Sequence, residues 1–238
     1  ECLPIQPTAH YSMGGIPTDK DCHVISDESG TRMNGFFAAG ECACVSVHGG
    51  NRLGTNSLLE AVVFGERAGK SVLKYAVGID HGNVNEGQEK AKVLKKFEDI
   101  YQRDGSESYN DIRNAMKEIM MSHCGVFRDE EKLKVCIETL KGLQERFKKG
   151  KVTDKGKLFN TEIYEIMELG NMLSMAEIIT FTALYRQESR GGHFRTDFPK
   201  RNDEKFLHHS LVYDSPDGFV IKTKPVVITK YQPAERTY

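Results

Sequence analysis

The residues best suited to chemistry lie in one glycine-rich stretch, His48-Gly-Gly-Asn-Arg-Leu-Gly-Thr-Asn-Ser-Leu-Leu. Its glycines Gly49, Gly50 and Gly54 carry no Cβ, so the main chain can approach a flat ligand closely. Arg52 adds a planar guanidinium that suits a carboxylate or a phosphate. The stretch therefore predicts an anion site, although an ordinary strand-to-helix turn with a surface arginine fits the same pattern equally well.

Two apolar runs flank this loop and predict the elements that position it. Residues 35–39 predict a buried strand that ends at Gly40, and residues 57–76 predict a helix. The first N–H groups of a helix lack partners and carry partial positive charge, so they favour an anion. The first half of this helix is apolar on all sides, which is typical of a helix buried inside a larger body.

A second candidate for chemistry is His10, in the sequence His10-Tyr-Ser-Met-Gly-Gly. A histidine can donate a hydrogen bond to a substrate carboxylate, and it titrates near neutral pH. A turn histidine bonded to the backbone is the alternative, and this hexapeptide alone favours it. The surrounding residues 1–35 are rich in Gly, Pro and Thr and predict loops and short strands, with residues 22–26 as the best strand candidate.

The composition argues against several classes of function. The 238 residues are 39% hydrophobic with a formal net charge of -1, so no electrostatic field favours nucleic acid or anionic lipid. No apolar run approaches the ~20 residues of a membrane span, and no signal peptide is visible. The cysteines lack metal-type spacing and predict reduced thiols in a cytoplasmic protein. They are Cys2, Cys22, Cys42, Cys44, Cys124 and Cys136.

The second part of the chain follows a different period. Residues 77–87 have the composition of a linker. Beyond them the apolar pattern predicts four amphipathic helices packed as an antiparallel bundle, with Ser108 opening one helix and the last helix ending near residue 188. The charged stretch of residues 190–203 fits a site lining or, slightly better, a salt-bridged surface loop. Asp214-Ser-Pro-Asp-Gly predicts the turn of a β-hairpin.

Three segments together resemble one known family, the flavoprotein subunit of succinate dehydrogenase and fumarate reductase. His10-Tyr-Ser-Met-Gly-Gly-Ile-Pro-Thr resembles its substrate-histidine motif. The flavin and substrate loop of the family is similar to the stretch Gly40-Glu-Cys-Ala-Cys-Val-Ser-Val-His-Gly-Gly-Asn-Arg-Leu-Gly-Thr-Asn-Ser-Leu-Leu. Glu188-Ser-Arg-Gly-Gly-His-Phe-Arg-Thr-Asp-Phe-Pro and the closing Arg236-Thr-Tyr resemble its C-terminal region. The resemblance covers essentially the whole chain in the right order.

The resemblance implies a mixed α+β and α/β fold. Residues 1–80 would form the return from a capping domain and the last part of a Rossmann-like FAD-binding domain. Residues 81–238 would form a C-terminal helical bundle domain with a β-hairpin tail. The dinucleotide Gly-x-Gly-x-x-Gly fingerprint, the histidine that carries covalent FAD and the proton-shuttle arginine are expected upstream. We therefore expect a fragment without a catalytic residue, which neither binds FAD nor turns over alone. Thr55 stands where relatives usually have Gly or Ala.

The resemblance also implies roles for individual residues. His10 and Arg52 would each bind one carboxylate of the substrate. Glu41 would bind the ribityl or ribose hydroxyls of FAD. Ser57 and Leu58 would offer backbone N–H groups to the pyrimidine edge of the flavin, where negative charge accumulates on reduction.

The implied reaction is the oxidation of succinate to fumarate, with a hydride passing to flavin N5. Electrons would leave through FAD to an iron–sulfur subunit and quinone. Membrane anchor subunits would hold the complex, with this subunit peripheral on the cytoplasmic, inner face of the cell membrane.

Alternatives to a succinate dehydrogenase stay open at this point. Glu41-Cys-Ala-Cys-Val and Arg236-Thr-Tyr favour the dehydrogenase over fumarate reductase. L-aspartate oxidase has a related histidine and Asn-Arg loop, but we expect neither Met13 nor this tail in it. A non-enzymatic alternative is an interaction module whose bundle and basic loop dock the iron–sulfur subunit.

Overall fold

A computed structural model describes residues 11–80, 82 and 85–234. His10 and the closing Arg236-Thr-Tyr lie outside the described residues. The elements in chain order are β1 (Ile16–Pro17), β2 (His23–Ile25), β3 (Arg32–Phe37), β4 (Ala43–Cys44), α1 (Asn56–Ala76), α2 (Glu86–Tyr101), α3 (Tyr109–His123), α4 (Glu130–Lys148), α5 (Thr161–Tyr185), α6 (Asp203–Phe206), β5 (His208–Tyr213) and β6 (Val220–Pro225).

The chain forms two compact units. The first runs to Tyr75 and also takes Glu188–Gly191 and the residues from Lys200 onward. The second comprises Ala76–Gln187 and Gly192–Pro199. The division into residues 1–80 and 81–238 that the sequence suggested stays a prediction.

The strands of the first unit pair two by two. β1 is parallel to β4, with Ile16 opposite Ala43, and β2 is antiparallel to β3. β5 and β6 form the predicted hairpin, closed by a bond from the Gly218 N–H to the Ser215 carbonyl at 3.0 Å. The expectation of a buried strand over residues 35–39 was wrong in two respects. β3 ends at Phe37 and is mostly exposed, because among the described residues it pairs only with β2.

Helix α1 confirms the predicted helix over residues 57–76 and contacts the residues just before β2. The Cys22 thiol donates to the Phe64 carbonyl at 3.3 Å, and Arg67 Nη2 lies 3.0 Å from Asp21 Oδ1. The expected burial of its apolar first half was wrong for this chain. Leu58 is 74% exposed, because no described residue covers that side of the helix.

The second unit is a helical bundle. Most of its core side chains come from α3, α4 and α5. The buried core residues are Tyr109, Ile112, Met116, Cys124, Leu133, Cys136, Leu140, Leu143, Val152, Ile163, Ile166, Leu169, Leu173, Ala176 and Ala183. Ser108 caps α3 as predicted, accepting the N–H of Asp111. α5 ends at Tyr185, three residues before the predicted end. There the buried Arg195 guanidinium donates hydrogen bonds to the carbonyl oxygens of Ala183 and Leu184, which lack partners within the helix. None of the described helices could span a membrane.

Candidate functional site

The loop that carries Arg52 makes a tight turn directly before α1. The Asn56 N–H donates to the Leu53 carbonyl and the Leu58 N–H to the Thr55 carbonyl, both at 3.2 Å. Thr55 adopts a left-handed backbone conformation with φ +68°, which is unusual for a β-branched residue. The turn therefore places Arg52 beside the first turn of α1, which carries no acidic residue to neutralise its positive end.

Arg52 rests on an aromatic platform. Its guanidinium carbon lies 5.0 Å from the ring centroid of Tyr11, within range of a cation–π interaction. The Tyr11 hydroxyl donates to Glu60 Oε2 at 2.5 Å, and His48 Nε2 lies 2.6 Å from the same oxygen. The Tyr11 and His48 rings meet edge to face, 5.2 Å apart. We call Tyr11, His48 and Glu60 the Glu60 cluster.

The electrostatics of the cluster keep the Tyr11 phenol protonated. Burial, and the hydrogen bond to the Glu60 carboxylate, raise the pKa of Tyr11 to about 12. The phenol thus remains a hydrogen-bond donor at neutral pH. The Glu60 side chain is almost completely buried, at 3% exposure, and the His48 side chain is 10% exposed.

The first motif and the Glu41 loop lie side by side. The Ser12 N–H donates to Glu41 Oε1 at 3.0 Å, and the Ile16 N–H donates to the Cys42 carbonyl at 2.9 Å. Gly15 permits this approach, because a Cβ at its position would lie 2.4 Å from the Cys42 oxygen. The structure therefore brings Tyr11 and Ser12, which follow His10 in the sequence, to the loops that carry Glu41 and Arg52.

A segment from much later in the chain packs against the same loop. Gly191 has φ +58°, and a Cβ there would lie 2.1 Å from the Gly50 carbonyl oxygen. The neighbouring Arg190 forms a bidentate pair with the buried Glu188 at 2.8 and 2.9 Å, and also contacts Asp203 at 2.7 Å. These ion pairs agree with the salt-bridged alternative for this stretch, but Glu188 is fully buried, and the neighbouring Gly191 contacts the arginine loop.

Sequence reasoning gave no role to any member of the Glu60 cluster. A signal for Glu60 was present, since it is the single charged residue inside the apolar run Leu58-Leu-Glu-Ala-Val-Val-Phe. A carboxylate at such a position needs hydrogen-bond donors. Tyr11 lies 49 residues and His48 lies 12 residues from Glu60 in the sequence, so only the fold shows that both contact its carboxyl group.

Comparison with known proteins decides the family. Residues 113–238 match the model described as "Fumarate reductase flavoprotein C-term", and residues 3–58 match the model described as "FAD binding domain". The chain belongs to the succinate dehydrogenase and fumarate reductase flavoprotein family. Both the resemblance and the mixed fold predicted from the sequence are thereby confirmed, and FAD is confirmed as the cofactor of the family.

Relatives of both names match the chain. The fumarate reductase flavoprotein subunit of Escherichia coli (strain K12) is 41% identical over 242 residues, covering 100% of this chain and 39% of the relative. The succinate dehydrogenase flavoprotein subunit of Rickettsia bellii (strain RML369-C) is 38% identical over 250 residues, covering 100% of this chain and 42% of the relative. The chain thus spans about two fifths of the length of the curated relatives it matches.

A solved structure matches nearly the whole fold. The structure titled "Quinol-Fumarate Reductase with Menaquinol Molecules" superposes with a TM-score of 0.89 at 40% identity. The match covers 98% of this chain and 40% of that chain.

Proposed function

We propose that this chain is part of a flavoprotein subunit that interconverts succinate and fumarate, with Arg52 binding one substrate carboxylate. The observation that carries the proposal is the position of Arg52, stacked on Tyr11 in the turn that leads into α1. A guanidinium presents two parallel N–H donors to a carboxylate, which fixes orientation as well as position.

His10 is proposed to bind the second carboxylate. Supporting this, Tyr11 follows His10 directly in the sequence and contacts Arg52. Two charged hydrogen bonds to two carboxylates would favour C4 dicarboxylates over monocarboxylates. Holding the substrate by both ends restricts its orientation. In well-oriented cases such positioning lowers the activation barrier by several kcal/mol, from roughly 7 kcal/mol upward.

The residues at the start of α1 fit an FAD edge. FAD, when bound, supplies the hydride acceptor of the reaction. The positive end of α1 carries no acidic side chain, and Cβ atoms at Gly49 and Gly54 would meet nothing within 4 Å, so a planar group can approach. Backbone N–H groups of Ser57 and Leu58 are proposed to face the pyrimidine edge. The Leu58 N–H already donates to the Thr55 carbonyl at 3.2 Å. This hydrogen bond is long, so a more negative acceptor would compete for the same N–H.

Glu41 is proposed to bind FAD hydroxyls. Its Oε1 accepts the Ser12 N–H at 3.0 Å, which fixes the carboxylate. The side chain is otherwise exposed, so its oxygens can accept bonds from sugar hydroxyls.

The physiological direction and the electron partners are further parts of the proposal. The motifs around Glu41 favour succinate oxidation, whereas relatives of both names match the chain at 38–41% identity. We propose that electrons pass between FAD and quinone through an iron–sulfur subunit, with anchor subunits holding the complex at the cytoplasmic face of the membrane. The matched structure titled with menaquinol supports the quinone link.

The test is substitution of Arg52 in the full-length subunit assembled with its partners. Arg52→Ala should abolish succinate oxidation and fumarate reduction while FAD content and subunit assembly stay at wild-type levels. Arg67→Ala is the matched control, because Arg67 is an arginine on α1 that pairs with Asp21 away from the turn. Succinate oxidation at the wild-type rate by Arg52→Ala would refute the proposal. Rates measured in both directions would settle which one the complex favours.

A further inference from the structure

We propose that Glu60 is a positioning residue that holds Tyr11 in place as the platform beneath Arg52. It thereby sets the orientation of the guanidinium that binds substrate. The inference rests on the proposed function of Arg52 and deepens it. Glu60 itself does not touch the substrate in this account.

The burial of Glu60 is the first observation. Helix α1 buries Glu60 alone, while its apolar neighbours Leu58 and Leu59 are 74% and 63% exposed. A buried carboxylate destabilises a protein unless hydrogen bonds compensate its lost hydration. Burying a carboxylate at the only buried position of α1 is unfavourable, and packing alone does not explain why a glutamate occupies it. We therefore look for a role of its hydrogen bonds.

The second observation is the sharing of one oxygen. Glu60 Oε2 receives the Tyr11 hydroxyl at 2.5 Å and lies 2.6 Å from His48 Nε2. One carboxyl oxygen has two lone pairs and can accept more than one hydrogen bond. The phenol oxygen of Tyr11 is therefore fixed by Glu60, and the edge contact with His48 at 5.2 Å restricts rotation of the ring.

The third observation is that the Tyr11 ring, which these contacts hold in place, also contacts Arg52. One face of Tyr11 lies under the Arg52 guanidinium carbon at 5.0 Å. Tyr11 thus contacts Glu60 through its hydroxyl, lies roughly perpendicular to the His48 ring, and lies under Arg52 with one face. Removing Glu60 would release the ring and so weaken the contact that Arg52 makes with it. A displacement of about 1 Å in a substrate-positioning group can lower a rate about 100-fold.

The experiment compares single and double variants of the full-length holoenzyme. Glu60→Ala should lower kcat/KM for a C4 dicarboxylate about 10- to 100-fold, chiefly through KM, with unchanged FAD content. Glu60→Gln keeps an acceptor oxygen and should restore part of this loss. Tyr11→Phe keeps the ring and should stay closer to wild type than Tyr11→Leu. Glu66→Ala is the control, since Glu66 is an exposed carboxylate on the same helix, paired with Lys70.

A double-mutant cycle separates positioning from a structural role. If Glu60 acts through Tyr11, then Glu60→Ala combined with Tyr11→Leu should be no worse than the more damaging single change. Fully multiplicative losses would overturn the inference. So would a Glu60→Ala enzyme that is less stable to heat yet has wild-type kcat and KM.

A structure of the Glu60→Ala holoenzyme distinguishes this inference from the proposed function. The inference expects the Arg52 guanidinium to leave the Tyr11 ring, and an unchanged stack would overturn it. An Arg52→Ala enzyme with full activity would instead refute the substrate role of Arg52, whatever the position of the guanidinium in Glu60→Ala.

Discussion

The contact between Gly191 and Gly50 yields a sharp prediction about stability. Gly191 has φ +58° and Gly49 has φ +59°, so both adopt the same left-handed conformation. A Cβ added to Gly191 would lie 2.1 Å from the Gly50 oxygen and 2.2 Å from its carbonyl carbon, whereas a Cβ added to Gly49 meets nothing within 4 Å. Gly49→Ala therefore isolates the backbone strain, and Gly191→Ala adds a collision with main-chain atoms that cannot rotate away.

The magnitude follows from these two terms. A left-handed conformation costs an alanine about 1–2 kcal/mol, partly offset by about 0.4–1 kcal/mol from the lower entropy of the unfolded chain. Overpacking of a closely packed contact adds about 1–3 kcal/mol. We expect Gly49→Ala to lower the free energy of unfolding by about 0–1.5 kcal/mol, and Gly191→Ala by about 1–4.5 kcal/mol, so that the collision alone separates the two variants by about 1–3 kcal/mol.

Urea denaturation of the two variants and the wild type measures this difference. Equal midpoints for Gly191→Ala and Gly49→Ala, at an unchanged denaturant slope, would show that the two segments do not meet as described. In the assembled enzyme, Gly191→Ala should also impair dicarboxylate binding, because the Gly50 main chain leads directly to Arg52.

Three further predictions concern single positions. Thr55→Gly should raise the free energy of unfolding by about 0.5–1 kcal/mol, since Thr55 is β-branched at φ +68°; equal or lower stability in urea would contradict this. Burial and the nearby Arg128 charge hold the pKa of His193 below its usual range. Below about pH 6.5 the unfolded chain therefore binds more protons than the folded chain, so the free energy of unfolding should fall as the pH is lowered. Thermal melts at several pH values should show this dependence in the wild type, and His193→Gln should lack the contribution of His193. Arg195→Met should lower the free energy of unfolding by about 3–5 kcal/mol, because it removes the buried cation that pairs with Asp197 and donates to the Ala183 carbonyl, and a loss under 1 kcal/mol by calorimetry would contradict it.

Local signals in the sequence predicted the elements well. α1 was placed to within one residue at its start, because the apolar run opens directly after Asn56. Ser108 was identified as a cap, since its side chain reaches the N–H three residues on. The β5–β6 turn was found from Asp214-Ser-Pro-Asp-Gly. Each of these features depends on residues close together in the chain.

Burial and long-range contacts could not be predicted in the same way. The apolar run after Asn56 indicated a helix, but whether Leu58 is covered depends on chain segments elsewhere. The close approach of Gly191 to Gly50 joins distant parts of the sequence, so no local sequence pattern predicts it. The Glu60 cluster is similar, because Tyr11 and Glu60 become partners only after folding.

The site residues divide along the same line. Arg52 is predicted from its glycine setting and a specific family motif; its role stays a proposal, to which the structure adds the contact with the Tyr11 ring. The roles of Glu41, Ser57 and Leu58 came from the resemblance alone and stay proposals, as does that of His10, which lies outside the described residues.

The affinity of the holo-flavoprotein for a C4 dicarboxylate tests the central claim most directly. Isothermal calorimetry would compare the wild type with Arg52→Ala and with the control Arg67→Ala. A lost charged hydrogen bond is worth about 1.5–3 kcal/mol, so Arg52→Ala should bind the dicarboxylate about 10- to 150-fold more weakly. Arg67→Ala should bind as the wild type does. Equal affinity in all three proteins, each with full FAD content, would contradict the assignment of Arg52 as the carboxylate-binding residue.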